Sequence, residues 1–483
     1  MTAGRRDGGT AVGGTAVGGR AAACMRWSVI GLGAAVLFTA VPPFRRSAEA
    51  QELRVPTETF TLDNGLKVVV HEDHSVPVVA VNVWYHVGSG REVPGRSGFA
   101  HLFEHMLFQG SENVGDDEHF KLISEAGGTL NGSTNADRTN YFEAVPSNYL
   151  EMVLWMEADR MGFFLPALTD AKLANQRDVV KNERRQNYEN RPYGMAFIRM
   201  GELLYPKDHP YHWPTIGYQE DLTAASMEDV KGFFRTWYTP NNASVVVSGD
   251  VKPAEVRRLA EKYFGPIGRG QPVPKPEPRP AKLDADVREV LEDRVTLAQL
   301  SLSWPAVERW HADDAALDLF ASILGQGKTS RLYERLVYRE QAAQSVSASS
   351  NSRELAGAVQ VTVQAREGTS LSLMEREVYE EIRRLAAEGP TAAELAAAKN
   401  GVEANFVNSL ASTLGKADRL NSYLTFNGKA DLFNEDLARY RAVTADDIRR
   451  VAETWIVDKP HVVLSVVPAG KPELAAQAGE VTP

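Results

Sequence analysis

The sequence predicts an α+β fold arranged as two tandem homologous domains. Three features carry this expectation. Strand-like stretches with turn signals, around residues 57–87 and 129–145, are interspersed with helical ones. Residues 266–282 hold six prolines and two glycines, which marks a linker. The chain after that linker repeats the chain before it at a nearly constant offset. The expected organisation is an N-terminal extension and signal peptide over residues 1–50, a first domain over 51–265 and the linker over 266–286. A second domain over 287–470 and a tail over 471–483 follow.

The chain has 483 residues, 43% hydrophobic and 24% charged, ordinary values for a globular protein. A net charge of -10 without any basic run argues for solubility and against a nucleic-acid partner. The first 24 residues are rich in Gly and Ala. Met25-Arg26 then gives a short basic start, Trp27–Val41 an apolar run too short to span a membrane comfortably, and Ala48-Glu49-Ala50 a small-x-small cleavage site. This pattern reads as a secretory signal peptide and predicts an exported, periplasmic protein. Pro42, Pro43 and Arg45-Arg46 leave an uncleaved membrane anchor as the alternative. The single cysteine, Cys24, precedes the apolar run, so the mature chain has no disulfides and any metal ligands are His and carboxylates.

From Thr57 the pattern is strand-like. Asp63-Asn64-Gly65 places a turn before a strand at 67–71, and a further strand covers 78–87. His71, His74 and His86 are scattered through these strands and read as surface or strand positions. Gly98–Phe108 reads as a helix with Ser97 as its N-cap. At about 100° per residue, His101 and His105 lie roughly 40° apart, and Glu104 about 60° to the other side of His101. Leu102, Phe103, Met106 and Leu107 take the other sides and bury the helix.

Two imidazoles one turn apart can bind one metal ion, and the carboxylate beside them suits a base that activates bound water better than a third ligand. A buried helix with two satisfied histidines is the plainer alternative, but two His and a Glu on an apolar helix are costly to bury without a metal or partners.

A helix at 116–126 ends at Gly127-Gly128. Thr129–Asn135 and Thr139–Val145 follow as strands. The first is polar enough for an exposed edge, where a peptide could add as a further strand; a solvated hairpin is the alternative. Helices are expected over 149–161 and 169–190. The second carries Glu183, the best candidate for a third metal ligand. His209-Pro210-Tyr211-His212 reads as a loop because of its proline, and 245–251 as a strand.

The repeat sharpens the site. Residues 226–247 align without gaps on 444–465, at an offset of 218, and Lys181-Asn182-Glu183 falls on Lys399-Asn400-Gly401. His101–Gly110 falls on Asp318–Gly327 at an offset of 217. The Leu-Phe and Gln-Gly pairs persist, while His101, Glu104, His105 and Glu183 become Asp318, Ala321, Ser322 and Gly401. One copy therefore keeps a four-residue chemical set that packing alone would not make change together. Gly327-Lys328-Thr329 looks like the end of a phosphate loop, but the required earlier glycine is Ser322, so nucleotide binding is not expected.

With His101-Leu102-Phe103-Glu104-His105, then Val180-Lys181-Asn182-Glu183-Arg184, the chain resembles the M16 (pitrilysin, or inverzincin) metallopeptidases, which include insulin-degrading enzyme and the mitochondrial processing peptidases. The resemblance covers roughly residues 55–467, including Leu324–Leu332 of the second domain. It implies two homologous domains in a sandwich-like α/β arrangement, each a mostly antiparallel sheet packed with helices, with chains pairing into a clamshell. It also implies one Zn2+ held by His101, His105 and Glu183, Glu104 as general base, and substrate backbone added along Asn131, Gly132, Ser133 and Thr134.

Two departures stand out. The acid often found seven residues before the third ligand is Gln176 here. An Arg/Tyr pair that holds substrate in active members is replaced by Val337 and Gln344, with Tyr338 and Arg339 nearby but out of register. The expectation is therefore a zinc endopeptidase acting on peptides or unfolded segments, as the zinc-bearing subunit of a dimer. A related partner chain would supply the Arg/Tyr pair; a homodimer using Arg339 or Arg331 is the rival. The alternative function is a non-catalytic binding or assembly subunit, which resembling proteins reach by losing the metal residues.

Overall fold

Short runs of β-branched and other apolar side chains in the first half lay down a six-stranded sheet, seen in a computed structural model that describes residues 53–477. Strands β1 (Glu58–Thr61) and β2 (Lys67–Glu72) form a hairpin around Gly65 at φ +92°. Asn64 locks the turn: its side-chain amide donates to the carbonyls of Phe264 and Ile267 at 2.8 and 3.0 Å, and its oxygen accepts from Leu66 N. Strand β3 (Val78–Tyr85) leads to helices α1 (Phe99–Met106) and α2 (Glu118–Glu125). A hairpin of β4 (Thr129–Thr134) and β5 (Thr139–Pro146) follows, then α3 (Leu150–Ala167), α4 (Asp170–Arg184), α5 (Gly194–Leu204), α6 (Gln219–Ala224) and α7 (Met227–Trp237). Strand β6 (Ala243–Gly249) and helix α8 (Pro253–Tyr263) close this half. The strand order is β1-β2-β6-β3-β5-β4, so β4 lies at an edge, and only the β2–β6 pair is parallel.

No regular element lies between α8 and β7 (Val287–Asp293). The second half continues with β8 (Gln299–Ala306), α9 (Asp314–Gly325), β9 (Ala343–Ser352) and β10 (Gly357–Ala365). Helices α10 (Leu371–Glu388), α11 (Ala392–Ser409), α12 (Thr413–Asn427), α13 (Phe433–Ala442) and α14 (Ala445–Trp455) precede β11 (Val462–Pro468). Its sheet order, β7-β11-β8-β10-β9, reproduces the first sheet without β1, again with one parallel pair, β7–β11. The helices before the last strand of each half even start alike: Ser226 with Asp229, and Thr444 with Asp447, form reciprocal capping boxes.

Each sheet is covered on both faces, which explains why its central strands are nearly continuous apolar runs. Val68, Val70, Val245 and Val247 face the helices of their own half, whereas Val69 and Val246 face α12 from the other half. In exchange, Val462, Leu464 and Val466 face Ala196, Met200 and Leu204 of α5. Polar contacts fix both exchanges. Asn421 on α12 donates to the Asn82 carbonyl at 2.7 Å and accepts from Ser244 Oγ at 2.7 Å. Arg199 on α5 pairs with Glu289, and Tyr193 N donates to Asp293.

Several elements run differently from the sequence expectation. Helix α3 continues past Met161 to Ala167, with a kink at Phe163. The helix expected over 169–190 gives way after Arg184 to a wider π-helical turn, Arg185–Glu189. The leader, its cleavage site and Cys24 lie outside the described residues, as does the end of the tail. No described helix is long and apolar enough to cross a membrane.

Candidate active site

Helix α1 is held as a rigid platform. Phe99, Ala100, Leu102, Phe103 and Met106 are buried, Phe103 stacks on Phe233, and the Tyr141 hydroxyl donates to the Phe103 carbonyl at 3.1 Å. The start of the helix corrects the expected Ser97 cap. Gly98 is the capping residue, at φ +85°, and a Cβ there would sit 2.8 Å from the Cα of Gly217. That left-handed turn swings Ser97 away, where its N–H and hydroxyl both donate to Asp221. The helix's free N–H groups go instead to Glu92, whose two oxygens accept from Gly98 N and Ala100 N at 2.9 and 2.8 Å. A carboxylate at a helix N-terminus is favoured by both the free donors and the helix dipole. Glu92 was invisible in the sequence, being one acid among many.

His101, Glu104 and His105 share one face of α1, and α4 packs against it. Glu183, in the last turn of α4, brings its Oε2 to 3.7 Å from His101 Nε2 and 3.2 Å from His105 Nε2. One donor atom from each of the three lies within 4.8 Å of the others, and among the described residues no other His, Cys, Asp or Glu group converges in this way. Ligands on a tetrahedral zinc at bond lengths near 2.0–2.1 Å stand about 3.3 Å apart, so the donor set fits such an ion and leaves a fourth position open.

Burial and the neighbouring His105 pull the His101 imidazole down to about 4, so it is neutral and available as a ligand at ordinary pH. The hydrogen bond from His105 holds the Glu183 carboxyl below its usual value. Asn187, on the π-helical turn, donates to Glu183 Oε1 at 3.2 Å and orients it. Its i+4 spacing from Glu183 was the only sequence signal for it.

Glu104 sits beside this cluster and does not join it. Burial pushes its carboxyl up, and the Thr134 hydroxyl opposes that shift. Edge strand β4 runs alongside. A Cβ on Gly132 would fall 3.1 Å from Glu104 Cγ and 3.1 Å from the Phe108 ring, so glycine lets the strand lie this close. Asn131 is exposed, and Ser133 donates to Asn140 at 2.7 Å. Arg138, which sequence reasoning passed over, donates to the Ser133 carbonyl at 2.8 Å and lies over the Trp84 ring.

Of the remaining histidines, His119 is buried with no hydrogen-bond partner among the described residues, and the others are engaged elsewhere. His71 bonds the Pro56 carbonyl, and His74 lies between Glu72 and Asp250. His86 pairs with Glu354, while His209 and His212 bond the carbonyls of Arg279 and Tyr205.

Gln176 is buried on α4, two turns before Glu183. His101 Nδ1 is buried without a hydrogen-bond partner among the described residues. In the second half, Val337 is partly buried, and Gln344 is exposed on edge strand β9. Tyr338 is 70% exposed, and Arg339 makes a loose pair with Glu334 at 3.5 Å. Arg331 is committed within its own half, bonding Glu394 twice, at 2.7 and 2.9 Å, and the Gly389 carbonyl.

Comparison with known proteins adds a lineage to this geometry. Residues 67–197 match the family described as insulinase (peptidase family M16), and residues 224–402 match the peptidase M16 inactive domain. The zinc protease PqqE of Helicobacter pylori is 30% identical over 91% of this chain and 98% of its own. The mitochondrial-processing peptidase subunit beta of Blastocladiella emersonii is 25% identical over 90% of this chain and 96% of its own. The crystal structure of a protease from Helicobacter pylori superposes with a TM-score of 0.81 at 29% identity, over 86% of this chain and all of that one.

Proposed function

The chain belongs to peptidase family M16, and we propose that it acts there as a zinc-dependent endopeptidase on peptides or unfolded protein segments. One observation carries the reading: donor atoms of His101, His105 and Glu183 converge within 4.8 Å of one another, close enough to share one zinc ion, with a burial-tuned carboxyl, Glu104, beside them on the helix of the two histidines. Held by His101, His105 and Glu183, a zinc ion would supply Lewis-acid polarisation and lower the pKa of the attacking water.

Glu104 takes the proton from the attacking water at its carboxylate and passes it to the departing amine. Its upward-shifted affinity for a proton suits both halves of that transfer. Edge strand β4 presents its outer edge, Asn131, Gly132, Ser133 and Thr134, to an extended substrate strand beside Glu104, with the Ser133 carbonyl held by Arg138 and Gly132 N by the Asn131 side chain until a substrate strand replaces them.

In this reading the chain is the zinc-bearing member of a dimer, and a related chain supplies the Arg/Tyr pair that Val337 and Gln344 replace. The commitment of Arg331 to Glu394 supports that arrangement over one in which Arg331 serves the site. Export to the periplasm rests on the leader pattern of residues 25–50.

The test is turnover of an unstructured fluorogenic peptide by the purified protein, alone and with a candidate partner chain, beside a chelator control and Glu104→Gln. The expected outcome is about one bound zinc per chain in both proteins, with activity falling about 10²–10⁴-fold in the variant. Full activity in Glu104→Gln would remove the general-base assignment. Zinc bound without turnover in any mixture would favour a binding or assembly subunit.

A further inference from the structure

A second site lies between the two halves, where α5 crosses the second sheet. A cavity of about 150 Å³ opens there, walled by Ile198, Met200 and Leu204 of α5 and by Trp213. On the sheet side it meets Ser303, Gln360 and Arg353.

The repeat explains why the space exists. In the first sheet Trp84 pairs across the strands with Ser244 and Asn140. In the second sheet Ser303 pairs with Val462 and Gln360, and Val462 is the counterpart of Ser244 at the offset of 218. Ser303 therefore stands where the first half has Trp84. Ala358, two residues before Gln360, stands where the first half has Arg138, two residues before Asn140. In the first half Trp84 and Arg138 lie face to face at 4.9 Å. In the second, a hydroxymethyl and a methyl leave the equivalent room open.

The charge in this cavity is unusual. The Arg353 guanidinium carbon lies over the Tyr211 ring, 3.8 Å from its centroid, and 5.2 Å from that of Tyr205, whose hydroxyl accepts from its Nη2 at 2.8 Å. Its Nε is buried and unpartnered, and Arg353 makes no ion pair among the described residues. Asp137, which shares Tyr211 with it, is itself engaged by the Tyr211 hydroxyl and Glu354 N. Ser303 Oγ is likewise buried without a partner. A part-buried cation without a counter-ion and a buried spare hydroxyl, on the wall of a cavity lined by both apolar and polar side chains, are well placed to receive an anion.

We propose that this cavity binds an apolar carboxylate no larger than a single aromatic side chain, with Arg353 as the anchor and Ser303 as the second donor. A single cation and one hydroxyl match a monoanionic carboxylate better than a phosphate dianion, and a cavity of this volume accommodates a body about the size of benzene. Two sources share that chemistry: a free small acid and the C-terminal residue of a peptide.

The test is calorimetric titration of the intact protein with phenylacetate and with acetyl-Gly-Gly-Phe bearing a free carboxylate, each beside its neutral amide. Two variants accompany it: Arg353→Gln, which removes the charge, and Ser303→Trp, which rebuilds the side chain found at the equivalent register position. At least one of the two acids is expected to bind at least tenfold more tightly than its amide, and both variants are expected to abolish that preference. Binding of the small acid alone assigns the site to a free carboxylate, and binding of the peptide alone to a chain terminus. Equal binding of acids and amides by the unmodified protein overturns the proposal. So does an acid preference that survives Ser303→Trp, which would place the carboxylate at the metal site. Because the readout is binding, its failure leaves the peptidase reading untouched.

Discussion

Helices α1 and α9 occupy equivalent places in their sheets, and each packs against an equivalent partner, α4 and α11. In the first half the shared face carries His101, Glu104 and His105, partly exposed, and α4 carries Glu183 in its last turn. In the second half Ala321 is fully buried, and Ser322 and Gly401 line a cavity of about 300 Å³ where the donors would have stood. Asp318, at the place of His101, turns inward and accepts from the Tyr440 hydroxyl at 2.6 Å. The scaffold therefore does not require the metal set. The fold survives without it in the same chain, which supports the reading that the set in the first half is kept for chemistry.

The strongest way to break this contrast is to make one half resemble the other. Glu183→Gly reproduces Gly401 and leaves two imidazoles without a carboxylate. Metal analysis is expected to show loss of the zinc, with peptide turnover down by more than about 10⁴-fold, since base catalysis and the Lewis acid go together. The reciprocal Gly401→Glu is expected to leave both zinc content and turnover unchanged, because Asp318 and Ser322 offer no imidazole. A second equivalent of bound zinc in that variant would show the second half to be a latent site.

Asp318 gives the contrast a pH signature. Burial, reinforced by neighbouring Asp314, raises its carboxyl from 3.8 to about 7, while the Tyr440 hydroxyl opposes the shift. A raised folded-state value means that the protonated form is favoured by folding. Its contribution is thus fully present below pH 3.8 and is lost as pH rises from there through about 7. Asp318→Asn cannot ionise. Denaturant unfolding of both proteins between pH 4 and 8 is therefore expected to give a stability difference that drifts in favour of the variant as pH rises, at up to about 1.4 kcal/mol per pH unit, and levels off above pH 7. A difference independent of pH would mean that Asp318 stays ionised in the folded protein.

The reach of local sequence reasoning follows the same line. His101, Glu104 and His105 were legible because helical periodicity alone puts them on one face. Glu183 lies 78 residues beyond His105 in the chain and was found through the repeat, which exposed it as the fourth residue to change. Glu92 and Arg138 act through contacts fixed by tertiary structure, and no spacing announces them. Ser97 misled because a left-handed glycine intervenes before the helix. The exchange of α5 and α12 was likewise hidden: the alternation of Val68, Val69 and Val70 shows two buried faces without saying which half covers each.

A gentler effect is expected at His101. Its Nδ1 is buried with no acceptor, and Gln176 lies two turns before Glu183 on nearly the same face of α4. A carboxylate behind a ligating imidazole orients the ring and raises its basicity, an effect of about 10–100-fold in metal affinity. Gln176→Glu is therefore expected to slow zinc removal in a chelator competition by about tenfold or more. An unchanged zinc affinity would place the second support of His101 elsewhere.

An effect of similar size tests the exchange of helices itself. Asn421 is fully buried at the middle of α12, donating to the Asn82 carbonyl and accepting from Ser244 Oγ, so one side chain ties two strands of the first sheet to a helix of the second half. Its counterpart on α5 at the offset of 218 is Leu203, which packs in the apolar cluster there, and that exchange is tied instead by the Arg199–Glu289 pair and the bond from Tyr193 N to Asp293. Asn421→Ala leaves the Asn82 carbonyl and the Ser244 hydroxyl buried without partners, at a cost of about 1–3 kcal/mol. If the two halves unfold as one unit because each sheet carries the other's helix, that cost appears as a lower denaturant midpoint with an unchanged slope and a single transition. If the halves are independent, the variant instead splits the transition, with the first half unfolding ahead of the second.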